Sequence, residues 1–245
     1  HLRLVISLEG VMKKIGLIVF IVCVVVGLCL ANFFSIGKLG SPFPSFSFNL
    51  GNGVKGSGNV STEKRDVSGF DSVEVSGVFQ VEIVAGKDFS VEVQTDDNLI
   101  PLVTTEVKGS TLQIDLDKKV SARNDLIVRI SAPNIKKIES SGVSKINASG
   151  IKNDSFAIDS SGASKITVSG ETAKLSVDLS GAGSVNAEDL KAVDADIDAS
   201  GACKINVNVS GSLKTDASGA SKITYTGDPK TVDNHQSGVG SVTKK

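Results

Sequence analysis

The chain has 245 residues, a formal net charge of -1, three Cys, two His, one Met and no Trp. Near-neutral charge supplies no basic face of the kind nucleic acid binding needs, and so few Cys and His leave little for a zinc centre or a disulfide framework. The aromatic residues are unevenly placed: nine of the ten Phe lie at or before Phe89, and only Phe156 and Tyr225 come after it.

Residues 1–11 precede the only Met, Met12, and read as an upstream stretch outside the true start. Residues 12–36 read as a membrane anchor or signal segment. Lys13 and Lys14 are followed by Ile15 to Ala31 without a charge or a strongly polar side chain. Extended to Phe34, the run is about the length that crosses a hydrocarbon core as a helix, longer than the usual apolar stretch of a signal peptide. An uncleaved transmembrane helix through residues 15–34 is therefore favoured over a cleaved signal peptide, with the lysines inside and the remainder exported. Residues 37–59 read as a linker, because Gly and Pro at that density punctuate elements instead of building them. Gly51-Asn52-Gly53-Val54-Lys55-Gly56 matches the dinucleotide fingerprint in letters. The next residues, Ser57 to Thr62, are a poor helix, and the mechanism needs a helix N-terminus for the pyrophosphate.

Residues 60–135 are strand-rich but irregular. Alternating runs such as Val78–Ala85, Thr111–Leu116 and Leu126–Ile130 are separated by turn sequences at 96–98, 108–110 and 117–119. Val75-Ser76-Gly77-Val78 reads as a degenerate copy of the Ser-Gly unit that recurs from residue 136 on. Phe70, Phe79 and Phe89 suggest a wider first part that caps the rest.

Residues 136–242 are a repeat. Ser-Gly-Ala or Ser-Gly-Val recurs with Gly at 142, 162, 181, 201, 219 and 238, a unit of about 18–20 residues. Four residues after each Gly stands Ile146, Ile166, Val185, Ile205, Ile223 or Val242. Before it come Ile138, Ile158, Val177, Ile197 and Thr215, with Val232 assigned to that column in the last unit. Period-two alternation with β-branched residues is strand chemistry. Units this short fit coils of a parallel β-helix, each stacked on the last around a continuous core. Six coils at a strand spacing of about 4.8 Å would make a rod of roughly 29 Å. A narrow lumen tiled by Ile, Val and Ala explains the missing aromatics, and the Ser before each Gly is expected to form a hydrogen-bonded stack.

The head of this domain, Arg65-Asp66-Val67-Ser68-Gly69-Phe70-Asp71-Ser72-Val73-Glu74-Val75, then Val81-Glu82-Ile83 and the Ser-Gly-Ala-Ser-Lys-Ile coils, resembles a known family. This is the auto-transporter adhesin head domain, or head GIN domain, a family of unknown function. The resemblance covers about residues 60 to 230. It implies a right-handed parallel β-helix, exported in bacteria, with an adhesin-like role and no catalytic residues to carry over. The strand pattern of an outer-membrane barrel is not recognised in this sequence, so the auto-transporter half of the name is not carried over.

Two ladders flank the bend. Three residues before the Gly stand Glu139, Asp159, Asp178, Asp198 and Asp216, with His235 in the last unit. Three after it stand Lys145, Lys165, Lys204 and Lys222, with Ser184 and Ser241 elsewhere. Like charges about 4.8 Å apart repel by roughly 0.9 kcal/mol in water, which a neighbouring opposite ladder would offset. The plain reading is two solvated, mutually neutralising faces. The sharper ones are a calcium ladder at Asp159, Asp178, Asp198 and Asp216, or a flat face contacting carbohydrate or protein. One carboxylate per coil supplies only part of the six to eight oxygens calcium takes.

No catalytic residue and no cofactor is expected. The function expected is a non-enzymatic, membrane-anchored adhesion or contact domain at the bacterial cell envelope. Its partners would be envelope proteins or glycans, with no nucleic acid. A cleaved signal would make the same domain periplasmic or secreted. The alternatives are a scaffold that self-associates end to end and, less favoured, a polysaccharide-active enzyme.

Overall fold

A computed structural model describes residues 53–245. The segments 1–11 and 12–36, and most of the expected linker, lie outside the described residues. Among the described residues no helix is long and apolar enough to cross a membrane.

Among the described residues sixteen strands follow in chain order. The first eight are β1 (Val54–Lys55), β2 (Val60–Arg65), β3 (Ser72–Ala85), β4 (Ser90–Asp96), β5 (Val103–Lys108), β6 (Thr111–Leu116), β7 (Val120–Ser121) and β8 (Ile127–Ala132). The next eight are β9 (Lys137–Gly162), β10 (Lys165–Gly181), β11 (Ser184–Gly201), β12 (Lys204–Val209), β13 (Ser212–Gly219), β14 (Lys222–Thr226), β15 (Thr231–Gly238) and β16 (Ser241–Lys244). The result is an all-β solenoid of about five turns. Strands β9 to β16 pair only in parallel, each residue over its equivalent one turn back, as in Ile146 under Ile166 and Ile166 under Val185.

Alternation explains the core. Inward positions on β10 are Ile166, Val168, Leu175, Val177 and Leu179, all almost fully buried, with Thr172 also buried, while the other residues of the strand are at least partly exposed. Burying each such side chain stabilises by about 1.5–3 kcal/mol, and stacking joins them into one cluster running from Phe70 to Ile223. The bends are made by the glycine column. Gly181 has φ +108°, and a Cβ there would lie 2.7 Å from the Gly162 carbonyl oxygen. That same carbonyl accepts the Ala182 N–H at 2.9 Å. The ladder of hydrogen bonds thus continues around the corner only because the corner has no side chain.

Three expectations are corrected. First, the lumen is not too narrow for every aromatic. Phe156 is fully buried and stands under Leu175, which stands under Ala195. Ring, isobutyl and methyl succeed one another up this column. Second, the hydrogen-bonded serines are mostly not those before the Gly. That outer column contributes Ser76 to Ser141 at 3.0 Å. The buried pairs lie inside the bend, two residues either side of Gly: Ser140 with Ser144 at 2.6 Å, and Ser160 with Ser164. In the next turn Leu179 takes that space, opposite Gly183. Third, the last turn does not carry Val232 in the column of Ile197 and Thr215. Register sets Asn234 on Thr215 and Val232 on Leu213.

The cap begins within the solenoid. β3 lies under β9 from Ser72 on Lys137 to Val84 on Ser149, with Gly77 under Gly142, so the degenerate copy at Gly77 is a true turn. Beyond it the pattern changes. β8 and β6 still pair with β3 in parallel, but β4 pairs antiparallel with β8, β2 with β4, and β5 with β6. Phe70 and Phe79 fill the wider interior, and Phe89 leans on Phe70 with ring centroids 5.1 Å apart. Antiparallel strands and a 3-10 turn at Ile100–Leu102 cover the open end of the stack, the protection that solenoid termini need.

The end of the expected linker is folded onto this cap. β1 pairs with β7, and Asp96, fully buried, accepts hydrogen bonds from the N–H groups of Gly58, Arg123 and Asn124 and from the Asn124 side chain. Burial alone would raise the pKa of Asp96; these bonds reverse that and hold it below the usual carboxylate range. Gly56 is packed against this carboxylate so closely that a Cβ could not be accommodated. The last Gly of the fingerprint-like run therefore serves an internal carboxylate, which would repel a pyrophosphate.

Candidate functional site: two charged flanks of one bend

The coil register places every acid of the predicted ladder on one flank. Asp159 pairs with Asp178, Asp178 with Asp198, Asp198 with Asp216, and Asp216 with His235. The ladder is one step longer than expected, because Glu74 on β3 lies under Glu139. The signal for Glu74 was present in the sequence, three residues before Gly77. Glu74, Glu139, Asp159 and Asp178, with the serines beside them, line a shallow open groove of about 400 Å³.

The lysines fall on the other flank in the same register. Lys145 pairs with Lys165, Lys165 with Ser184, Ser184 with Lys204, and Lys204 with Lys222. The expected mutual neutralisation is not what forms. Among the described residues, none of Lys145, Lys165, Lys204 and Lys222 makes an ion pair. Two of the ladder acids, Glu139 and Asp159, are served instead by a lysine of their own flank, and Asp196 beside the ladder by another. Lys137 reaches both Glu139 and Asp159, the latter at 2.6 Å, and Lys214 reaches Asp196 at 3.5 Å. Hydrogen bonds to Asp159 and Glu139 push the Lys137 pKa up to about 12. The physical reason is the strand period: Lys137 and Glu139 are two residues apart and so share a face, whereas a residue beyond the Ser-Gly bend faces another way.

Further along the stack the acids lack such a bridge. Asp198 has its pKa raised, first by partial burial and then by Asp196, Asp178 and Asp216, against the lowering effect of Lys214. Asp159, Asp178, Asp198 and Asp216 remain one per turn, and among the described residues no three His, Cys, Asp or Glu side chains converge as a metal-binding group. His235 is exposed and lies 3.5 Å from Asp233. Cys203 is a buried free thiol, its pKa pushed up by that burial. Between the flanks runs the tip of the bend, formed by the Ser-Gly pairs and the residue after them. Val78, Val143 and Val239 are exposed there, and Ala163, Ala182 and Ala202 are half-buried.

Comparison with known proteins agrees with this architecture. A family model described as "Putative auto-transporter adhesin, head GIN domain" matches residues 69–229. No curated protein sequence matches the chain. A crystal structure of "a putative adhesin" from Bacteroides fragilis superposes with a TM-score of 0.63 at 22% identity, covering 79% of this chain and 100% of that one. Another, from Parabacteroides merdae, has a TM-score of 0.51 at 20% identity, covering 80% and 100%.

Proposed function

The chain belongs to the head GIN domain family, and on that premise we propose that it is a non-enzymatic contact domain displayed at the bacterial cell envelope. In this reading residues 15–34 anchor it in the membrane, and a right-handed β-helix presents its outer columns to envelope proteins or glycans. The observation that supports this best is the repetition of the outer surface. The acid flank offers a carboxylate at successive turns up to Asp216, the other flank a lysine at most turns with Ser184 between, and the groove along Glu74, Glu139, Asp159 and Asp178 is shallow and open. A flat periodic face suits a long polymer or a second protein surface. Turnover instead needs a site that excludes water around unique groups.

In β15 and β16, Asn234, Gln236 and Lys244 occupy the columns of Thr215, Ala217 and Tyr225, while Val232 and Val242 continue those of Leu213 and Ile223. A layer of mixed polarity supports the end-to-end scaffold less than an apolar one would. The proposal is tested with the purified full chain in mild detergent, presented with envelope polysaccharides and extracts. Retention of a glycan or envelope protein without release of new reducing ends is expected. Release of reducing ends would favour the polysaccharide-active alternative and overturn the reading.

A further inference from the structure

We propose that the bend joining the two charged flanks is a homotypic interface, on which a second copy of this chain packs side by side and parallel. The charges of the two flanks are left unbalanced within the chain. The acids from Asp178 to Asp216 and the lysines Lys145, Lys165, Lys204 and Lys222 form two ladders of opposite sign, and neither neutralises the other. The acid ladder stacks like charge on like charge at the coil spacing, and the lysine ladder does so at Lys145–Lys165 and Lys204–Lys222, with Ser184 between these two pairs. The pKa of Asp198 is raised first by partial burial and then by this crowding with Asp196, Asp178 and Asp216. The tip between the ladders is narrow and small: Ser, Gly, and then Ala or Val, with Val143 54% and Val239 91% exposed. Such a strip lets two backbones approach closely, with exposed methyl groups at the contact.

Symmetry then selects one arrangement. A two-fold axis parallel to the stacking direction carries the acid flank of one copy onto the lysine flank of the other at the same level. Asp198 then faces Lys204 of the second copy, and Asp216 faces its Lys222. A two-fold axis across the stack brings acid against acid and lysine against lysine. The charges thus favour parallel copies, an isologous contact of the kind commonest in closed oligomers. Both chains would enter from the same side, as two copies anchored in one membrane must. The contact does not depend on whether the domain also binds a glycan. Because exposed ion pairs are weak and screened, affinity should fall roughly tenfold or more between low and high salt.

Two experiments test it on the full chain in mild detergent. Sedimentation compares the parent with Asp198→Lys/Asp216→Lys and with Lys204→Glu/Lys222→Glu. Each variant alone should be monomeric at concentrations where the parent dimerises, and the two mixed should form a heterodimer. All four positions are exposed, so circular dichroism of each variant should match the parent. Cysteine crosslinking then reads the direction, in a Cys23→Ala/Cys29→Ala background with the buried Cys203 retained. Ala163→Cys and Ala220→Cys should each crosslink to themselves. A crosslink between Ala163→Cys of one copy and Ala220→Cys of another would overturn the parallel arrangement. Reversed variants that dimerise like the parent would overturn the charge assignment. A parent that stays monomeric while binding pentalysine would make the acid flank a site for a foreign partner and overturn the dimer.

Discussion

The cap and the coils use opposite strategies to bury the same kind of apolar surface. In the coils one solution is repeated. Ile146, Ile166, Val185, Ile205 and Ile223 form one column, and the pairing partner of each residue is its own equivalent one turn away. In the cap each contact is made once. Arg65 reaches the carbonyls of Ile100 and Val103, and Asp96 ties together three separate stretches of chain. A repeated solution distributes stability over nearest-neighbour interfaces; a unique one concentrates it in a few groups. The largest test of the difference is Phe156→Ala. As the only fully buried ring in the coils it has no equivalent to share the loss, and the change should destabilise by about 3–5 kcal/mol in urea unfolding followed by circular dichroism. A loss near zero would mean that Leu175 and its neighbours close the space.

Gly181→Ala comes next. It places a side chain at positive φ and against the Gly162 carbonyl, and should cost about 1–3 kcal/mol. Val239→Ala, beside an equivalent Gly but pointing outward, should cost within about 0.5 kcal/mol. If the two are alike in thermal melts, the corner is not held by backbone stacking.

The coils were largely legible in the sequence because their pairing follows a local period. Once Ser-Gly recurs near every nineteenth residue, register is given by counting, and the acid and lysine ladders emerge with it. Counting fails where the partner is not the equivalent residue. Nothing in Arg65 announces its antiparallel neighbour Val91, so the strand order of the cap stayed hidden. The buried Ser140–Ser144 and Ser160–Ser164 pairs were missed for another reason: the period showed which serines recur, whereas burial chooses those flanking the bend on its inner side. Lys137 was missed because its column is not periodic, with Ala157 and Ser176 above it.

Asp96 sharpens the comparison from the cap side. Its pKa is held below normal in the folded chain, so its contribution is present above the unfolded carboxylate pKa of about 3.9. That contribution is lost as pH falls through the lower folded value. Acid should therefore open residues 53–58 and their contacts before the coils, seen as amide exchange that rises there first. Asp96→Asn keeps the shape and removes the charge, so it should produce the same early opening at neutral pH. Exchange that rises evenly over cap and coils would mean that the two regions unfold as one unit.

The smallest effect lies at the join, where Lys137 bridges Glu139 and Asp159. Its pKa is raised to about 12, so its stabilisation is fully present below the unfolded lysine value of about 10.4. It is lost as pH rises through about 12. All three side chains are more than a third exposed, and solvent screening keeps the contribution under about 1 kcal/mol. Lys137→Met should lower the melting temperature slightly at pH 7, and the gap from the parent should narrow in 1 M salt, where the screening length is about 3 Å. The acids left behind would then repel along an unbridged ladder, as Asp178 and Asp198 already do further up. A gap that is unchanged in salt would assign the effect to packing of the lysine stem, and the two ends of the acid flank would then differ in shape and not in charge.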